Sequence, residues 1–176
     1  MTPAELKKTG LAHFHAERLP EAAQAFEAAA AAYDQAGATA AAAEVRNNLA
    51  VVRMALGDWA GATAAAAGTP EIFRALGDHR REGEALANQA AAQDGAGAVE
   101  PAVALYLQAI ERLTQANEFQ TRAACYKKLS ALQIKLGHQL QALASMRSGL
   151  NLSSELTPKE KALKELLDKA MKLTGL

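Results

Sequence analysis

Cysteine is almost missing from this chain: Cys125 stands alone in 176 residues. An internal disulfide is excluded, and nothing implies an oxidising compartment. Aromatic residues are scarce at 5%, so a core built on large rings is excluded as well. No apolar run approaches the roughly 18 residues that a membrane span needs. The opening Met1-Thr2-Pro3 leads into a charged helical stretch with Glu5, Lys7 and Lys8, unlike the apolar core of a signal peptide. Neither sign of charge is in excess, with 19 basic and 19 acidic residues. A neutral chain is a poor general nucleic-acid binder. The expectation is a soluble cytoplasmic protein with no membrane and no nucleic-acid partner.

Catalytic chemistry is missing too. His13 and His15 are two apart, so on a helix they point about 200° from each other and share no metal. His79 and His138 fall at turns, where solvated histidine is the ordinary outcome. Cys125 has only Arg122 and Lys128 as basic neighbours in sequence, which suits an idle buried thiol better than a nucleophile. Asp94-Gly95-Ala96-Gly97 has no strand before it and no Gly-Lys-Ser after it, so it is not a phosphate loop. No carboxylates form a recognisable acid/base pair. The expectation is a protein that is not an enzyme and holds no cofactor and no metal.

What is present in quantity is alanine, and it is ordered. At an offset of 40, Ala22, Ala62, Ala102 and Ala142 fall into line. Gly10, Ala50, Ala90 and Ser130 do the same, as do Phe26, Ala66, Tyr106 and Met146, then Ala29, Thr69, Ala109 and Gly149. The turn position reads Glu17, Gly57, Gly97, Gly137. Composition alone does not align small residues in four registers; this is an internal repeat. Because large side chains are few, stability must come from close helix contact and high helix propensity.

Each unit has a small residue in a first helix, an alanine 12 positions later in a second, and a bulky side chain four after that in three of four units. That order resembles the tetratricopeptide repeat, in which small residues lie where helices cross and a bulky one fills the space between. The unit of 40 is longer than that family's usual repeat, and Leu56-Gly57-Asp58, Leu76-Gly77-Asp78 and Leu136-Gly137-His138 resemble its longer-repeat branch. The likeness covers residues 3 to about 153. Leu6, Arg46 and Leu86 stand where the first-helix aromatic is usual. The resemblance implies an all-α fold, a right-handed α-solenoid of helix-turn-helix repeats in a single domain. Its repeats span about 3–37, 38–77, 78–117 and 118–154, followed by a capping helix over about 158–173.

Local signals refine this picture. Pro3, Pro20 and Pro101 suit first turns, and Gly37 suits a helix C-terminus. Phe26 and Tyr33, seven apart, share a helix face and belong to the core. Gly68-Thr69-Pro70 falls in mid-helix, where proline removes a donor and clashes with the preceding turn, so a kink or break is expected. Thr69 would then cap a new short helix with Pro70 at its first position. Thr157-Pro158-Lys159-Glu160 has the form of a capping box. The helix after it carries Leu163, Leu166, Leu167, Ala170 and Leu173 on one side and charges on the other, as a polar solenoid cap does.

In the tetratricopeptide family the first helices line a concave groove that holds an extended peptide or a helix of a partner protein. Carried over by register, the groove positions are Lys7, Lys8, Leu11 and Phe14, then Glu44, Asn47, Asn48, Val51 and Met54. The third unit supplies Glu84, Ala87, Asn88, Ala91 and Asp94, and the fourth Lys127, Lys128, Ala131 and Ile134. Lys8, Asn48, Asn88 and Lys128 keep strict 40 spacing. Asparagine is a middling helix former with both donor and acceptor. Repeated on one face, it suits either a ligand backbone or the neighbouring helix. The carboxylate clamp of the family's chaperone-binding members is matched by Lys7 and Asn48 but not by Leu11, Glu84 or Asn88, so that role is not expected. A self-assembling scaffold, joined through repeat ends or outer faces, is the alternative to the groove. The charge is split, with residues 1–117 holding 9 basic and 14 acidic residues and 118–176 holding 10 and 5. The second half can attract an acidic segment, and a head-to-tail contact between copies stays open.

Overall fold

A computed structural model describes residues 1–174, without the side chains of Met171, Leu173 and Thr174. Among the described residues all regular structure is helical. The helices are α1 Pro3–His15, α2 Leu19–Gln35, α3 Thr39–Ala55, α4 Trp59–Ala66, α5 Thr69–Ala75, α6 His79–Gly95, α7 Val99–Gln115, α8 Phe119–Lys135, α9 Gln139–Leu152 and α10 Pro158–Thr174. Consecutive helices pack in pairs, giving an α-solenoid of helical repeats.

The period is set at the turns. A residue in the left-handed region stands at 17, 37, 57, 77, 97, 117 and 137, every 20 residues. Five of the seven are glycine; Glu17 (φ 57°) and Asn117 (φ 58°) adopt the same conformation. The amide one residue further on donates back to the carbonyl five residues earlier, as in Ala38 N to Tyr33 O at 2.9 Å and His138 N to Gln133 O at 2.8 Å. This closure satisfies carbonyls that the helix end would leave orphaned and reverses the chain in three residues. Seventeen helical residues plus three of turn make half a unit, and α2, α3, α6, α7 and α8 each have that length.

Unit two keeps the period although its second helix is broken. Gly68 takes φ 74° between α4 and α5, which together fill the same slot from 59 to 75. The break is where the sequence places it, but Thr69 is not the cap. Gly68 occupies the N-cap and Thr69 is the first helical residue. Proline at 70 cannot donate to the Ala66 carbonyl. That oxygen is instead met by the Thr69 hydroxyl at 2.8 Å and the Gln89 amide at 2.9 Å.

The crossings are as tight as the alanine register implies. Ala22, Ala62 and Ala102 are fully buried and Ala142 nearly so. A Cβ on Gly10 would stand 2.7 Å from the Phe26 ring, and one on Gly95 would stand 2.1 Å from the Trp59 ring. The core lies in two blocks. Phe26, Val45, Leu49 and Val52 anchor the first, and Leu86, Tyr106, Leu113, Leu129 and Leu132 the second. Phe73, against Ala43 and Ala85, forms a small cluster between them. Phe26 is buried as expected, while Tyr33 is half-buried against the first block.

The capping box of α10 is present. Glu160 N donates to Thr157 Oγ1 at 3.3 Å, and Thr157 N to Glu160 Oε2 at 2.9 Å. The helix packs against α9, with Leu167 buried and Leu163 and Leu166 37% and 63% exposed. Leu173, expected on the same side, lies outside the described side chains.

Candidate functional site

The assigned groove positions separate into three kinds. Those of the first kind are held in ion pairs, across helices for all but Glu84. Lys7 of α1 donates to Glu44 of α3 at 2.5 Å, Lys135 of α8 to Asp94 of α6 at 2.9 Å, and Lys127 of α8 to Glu160 of α10 at 2.8 Å. Arg80 meets Glu84 within α6 at 3.0 Å and Glu118 at 3.2 Å. Successive first helices are therefore tied side by side, with the ties at unit one, between units three and four, and at the terminal helix.

Asn47 is of the second kind and corrects the sequence assignment. It is buried, and its Oδ1 accepts from the Thr69 hydroxyl at 2.9 Å. The hydroxyl has one proton and shares it between Asn47 and the Ala66 carbonyl. Asn47 fixes the broken helix to α3 and is not available to a groove ligand. One residue of helix is a turn of 100°, and that separates Asn47 from Asn48 in role as well as direction.

The third kind remains available. Leu11, Phe14, Asn48 and Val51, joined by His15, surround a hollow of about 130 Å³ between α1 and α3, with Phe26 of α2 below it. Four assigned positions from two helices thus meet over one apolar floor. Asn48 and Asn88 are half-buried, and among the described residues neither amide makes a hydrogen bond. Lys8 and Lys128 are exposed and form no ion pair among those residues. Met54, Ala87 and Ala91 are half-buried, while Ala131 and Ile134 are exposed.

Sequence reasoning missed Glu82. It is fully buried at the start of α6; its Oε1 accepts from Arg74 of α5 at 2.7 Å and forms an ion pair with Arg112 of α7 at 3.2 Å. Its Oε2 has no hydrogen-bond partner; His79 Nδ1 is 3.9 Å away. A glutamate in Arg-Glu-Gly-Glu-Ala reads as a solvated helix face. Only its register, shared with Ala42 and Arg122, hints that it points inward. The network holds the junction between units two and three.

Elsewhere the groups are ordinary. Cys125 is buried, and burial pushes its thiol up to about 11, so it stays protonated and unreactive at neutral pH. Burial also raises the Tyr106 phenol. No helix among the described residues is long and apolar enough to cross a membrane.

Fold and site together define a helical-repeat solenoid whose first helices carry an apolar hollow and unpaired polar side chains. No protein-family model and no curated protein matches the chain. Solved structures do match, 52 chains of them. One is the crystal structure of BtubC (BKLC) from P. vanneervenii, with a TM-score of 0.77 at 16% identity. The match covers 89% of this chain and 66% of that one, so the chain spans just under two thirds of its length. At that identity the likeness shows a shared helical fold.

Proposed function

We propose that this chain is a non-enzymatic interaction module of the tetratricopeptide kind, which holds a segment of a partner protein along its first helices. The observation that carries this is the hollow over Phe26, where Leu11, Phe14, Asn48 and Val51 converge. Apolar walls beside an amide with both donor and acceptor suit a peptide, which offers side chains and backbone groups together. Asn88 repeats the amide 40 residues later. A neutral overall charge argues for a protein partner over nucleic acid, and the free buried thiol fits a cytoplasmic location.

Each lost backbone contact weakens binding by roughly 0.5–1.5 kcal/mol. Asn48→Ala combined with Asn88→Ala should therefore lower partner capture about tenfold while leaving the thermal midpoint unchanged. Normal capture with an early melt would make the asparagines packing residues and remove the reading at these positions. The exposed Leu140, Leu163 and Leu166 on the last two helices favour a second reading, self-assembly through the repeat end. A monomer at every salt concentration, by size exclusion with light scattering, removes it.

A further inference from the structure

We infer that copies of this chain associate tail to flank, the outer ridge of α10 in one copy packing antiparallel on the outer ridge of α7 in another. This rests on the self-assembly reading above, which it deepens, and is independent of the groove. The ridge on α7 is Glu100, Ala104, Leu107 and Glu111, at steps of four, three and four residues, which form one line along a helix. All four are exposed, Leu107 to 51%. The apolar side of α7, with Ala102, Tyr106, Ala109 and Leu113, is turned the other way into the core. The repeat does not ask for a leucine at 107. The same register holds Glu27, Ala67 and Arg147 in the other units.

The ridge on α10 has the same pattern with the charge reversed. Lys159, Ala162, Leu166 and Lys169 follow at steps of three, four and three residues, and all are exposed. Leu167 is the residue buried where α10 meets α9, which leaves Leu166 uncovered at 63% exposure. Two carboxylates of α10 are already engaged, Glu160 with Lys127 and Asp168 with Arg147. The third, Glu165, stands off the ridge, about 100° round the helix from Leu166. Among the described residues Glu100, Glu111, Lys159 and Lys169 take part in no ion pair. Each ridge is thus a leucine and an alanine between two like charges, and the two ridges carry opposite signs.

Their dimensions agree. Glu100 and Glu111 lie about 16 Å apart along the helix axis, and Lys159 and Lys169 about 15 Å. Direction follows from packing. Laid parallel, Leu166 would meet Leu107 and Ala162 would meet Ala104, large on large and small on small. Laid antiparallel, Leu166 meets Ala104 and Leu107 meets Ala162, so each leucine enters the space over an alanine. Lys169 then reaches Glu100, and Lys159 reaches Glu111. Every copy offers both ridges, so the contact is made twice in a two-fold dimer or propagates through a ring or filament. One ridge on another buries an area at the low end of specific interfaces, and its flanking charges are screened by salt. The association is therefore weak and salt-dependent.

Sedimentation velocity of the intact protein at low salt, at concentrations up to about 300 µM, tests this. Wild type should self-associate, and salt at about 0.5 M should weaken the association tenfold or more. The variant Lys159→Glu, Lys169→Glu and, separately, the variant Glu100→Lys, Glu111→Lys should each stay monomeric, with thermal melts like wild type. An equimolar mixture of the two should associate again, since each retains the ridge that the other has lost. Lys169→Glu combined in one chain with Glu100→Lys should associate as wild type does, and combined with Glu111→Lys should not. A wild type that stays monomeric overturns the inference and the self-assembly reading together, and leaves the groove untouched. Association that survives both variants or high salt, or a mixture that stays monomeric, overturns the inference alone. Rescue by Glu111→Lys in place of Glu100→Lys overturns the antiparallel pairing.

Discussion

A single methyl group decides whether two helices of this chain can cross. Ala62 and Ala102 are fully buried at equivalent crossings, whereas Ala60, two residues from Ala62, faces solvent. Extra methylenes in a packed site force off-rotamer side chains and backbone shifts. Ala62→Leu or Ala102→Leu should cost about 1–3 kcal/mol in urea unfolding, and Ala60→Leu should cost nearly nothing. Equal effects at 60 and 62 would show that the register is misplaced. The crossings were legible because a small residue recurring at an offset of 40 marks the place where two backbones must approach closely. Asn47 and Glu82 were not legible. Whether a polar residue at the edge of a helix face turns inward depends on the neighbours it finds there. Asn47 meets a buried threonine at a helix break, and Glu82 meets two arginines from different helices.

Among the elements, α10 is attached differently from the others. Five residues, 153–157, lead into it instead of a three-residue turn, and Leu167 is its buried apolar contact. Two ion pairs hold its sides, Lys127 with Glu160 at 2.8 Å and Arg147 with Asp168 at 2.6 Å. Glu160 also closes the capping box. Hydrogen bonding from Lys127, then from the Thr157 amide and hydroxyl, lowers its carboxyl from 4.5 to about 2. A carboxyl depressed in the folded state contributes stability that is present above its unfolded value and lost as pH falls through the folded one. The attachment of α10 should therefore be intact above about pH 4.5 and weaken progressively toward pH 2. Amide exchange of residues 158–170 read by NMR should rise across that window, and Glu160→Gln should show fast exchange already at neutral pH. A flat profile in both would mean that Leu167 alone seats the helix. The sequence announced the start of α10, since the capping box is a local motif. It did not announce how the helix is seated, because that depends on side chains 21 and 33 residues away.

At the scale of the whole molecule, the solenoid is two apolar blocks joined by a seam that is largely polar. The blocks are centred on Phe26 with Val45 and on Leu113 with Leu129. Between them the helix is broken at Gly68, and the small cluster of Phe73 with Ala43 and Ala85 supplies fully buried apolar contact. Polar contacts carry the rest: hydrogen bonds from Thr69 to Asn47, Gln89 to Ala66 and Arg74 to Glu82, and the ion pair of Arg112 with Glu82. In a repeat array, stability is a sum of unit terms and nearest-neighbour interface terms, so cooperativity is limited by the weakest interface. Hydrogen bonds to a charged group contribute about 1.5–3 kcal/mol each. Both arginines reach solvent when Glu82 is removed, which softens the loss. Glu82→Ala should therefore lower the coupling between the blocks more than the stability of either. The observable is a urea transition that broadens, with a smaller apparent m-value, as the two halves begin to unfold separately. Native-state exchange should then sort the amides of α1–α4 and those of α6–α9 into different opening energies. A transition that shifts in midpoint but keeps its slope would mean that the apolar contact at Phe73 already couples the blocks.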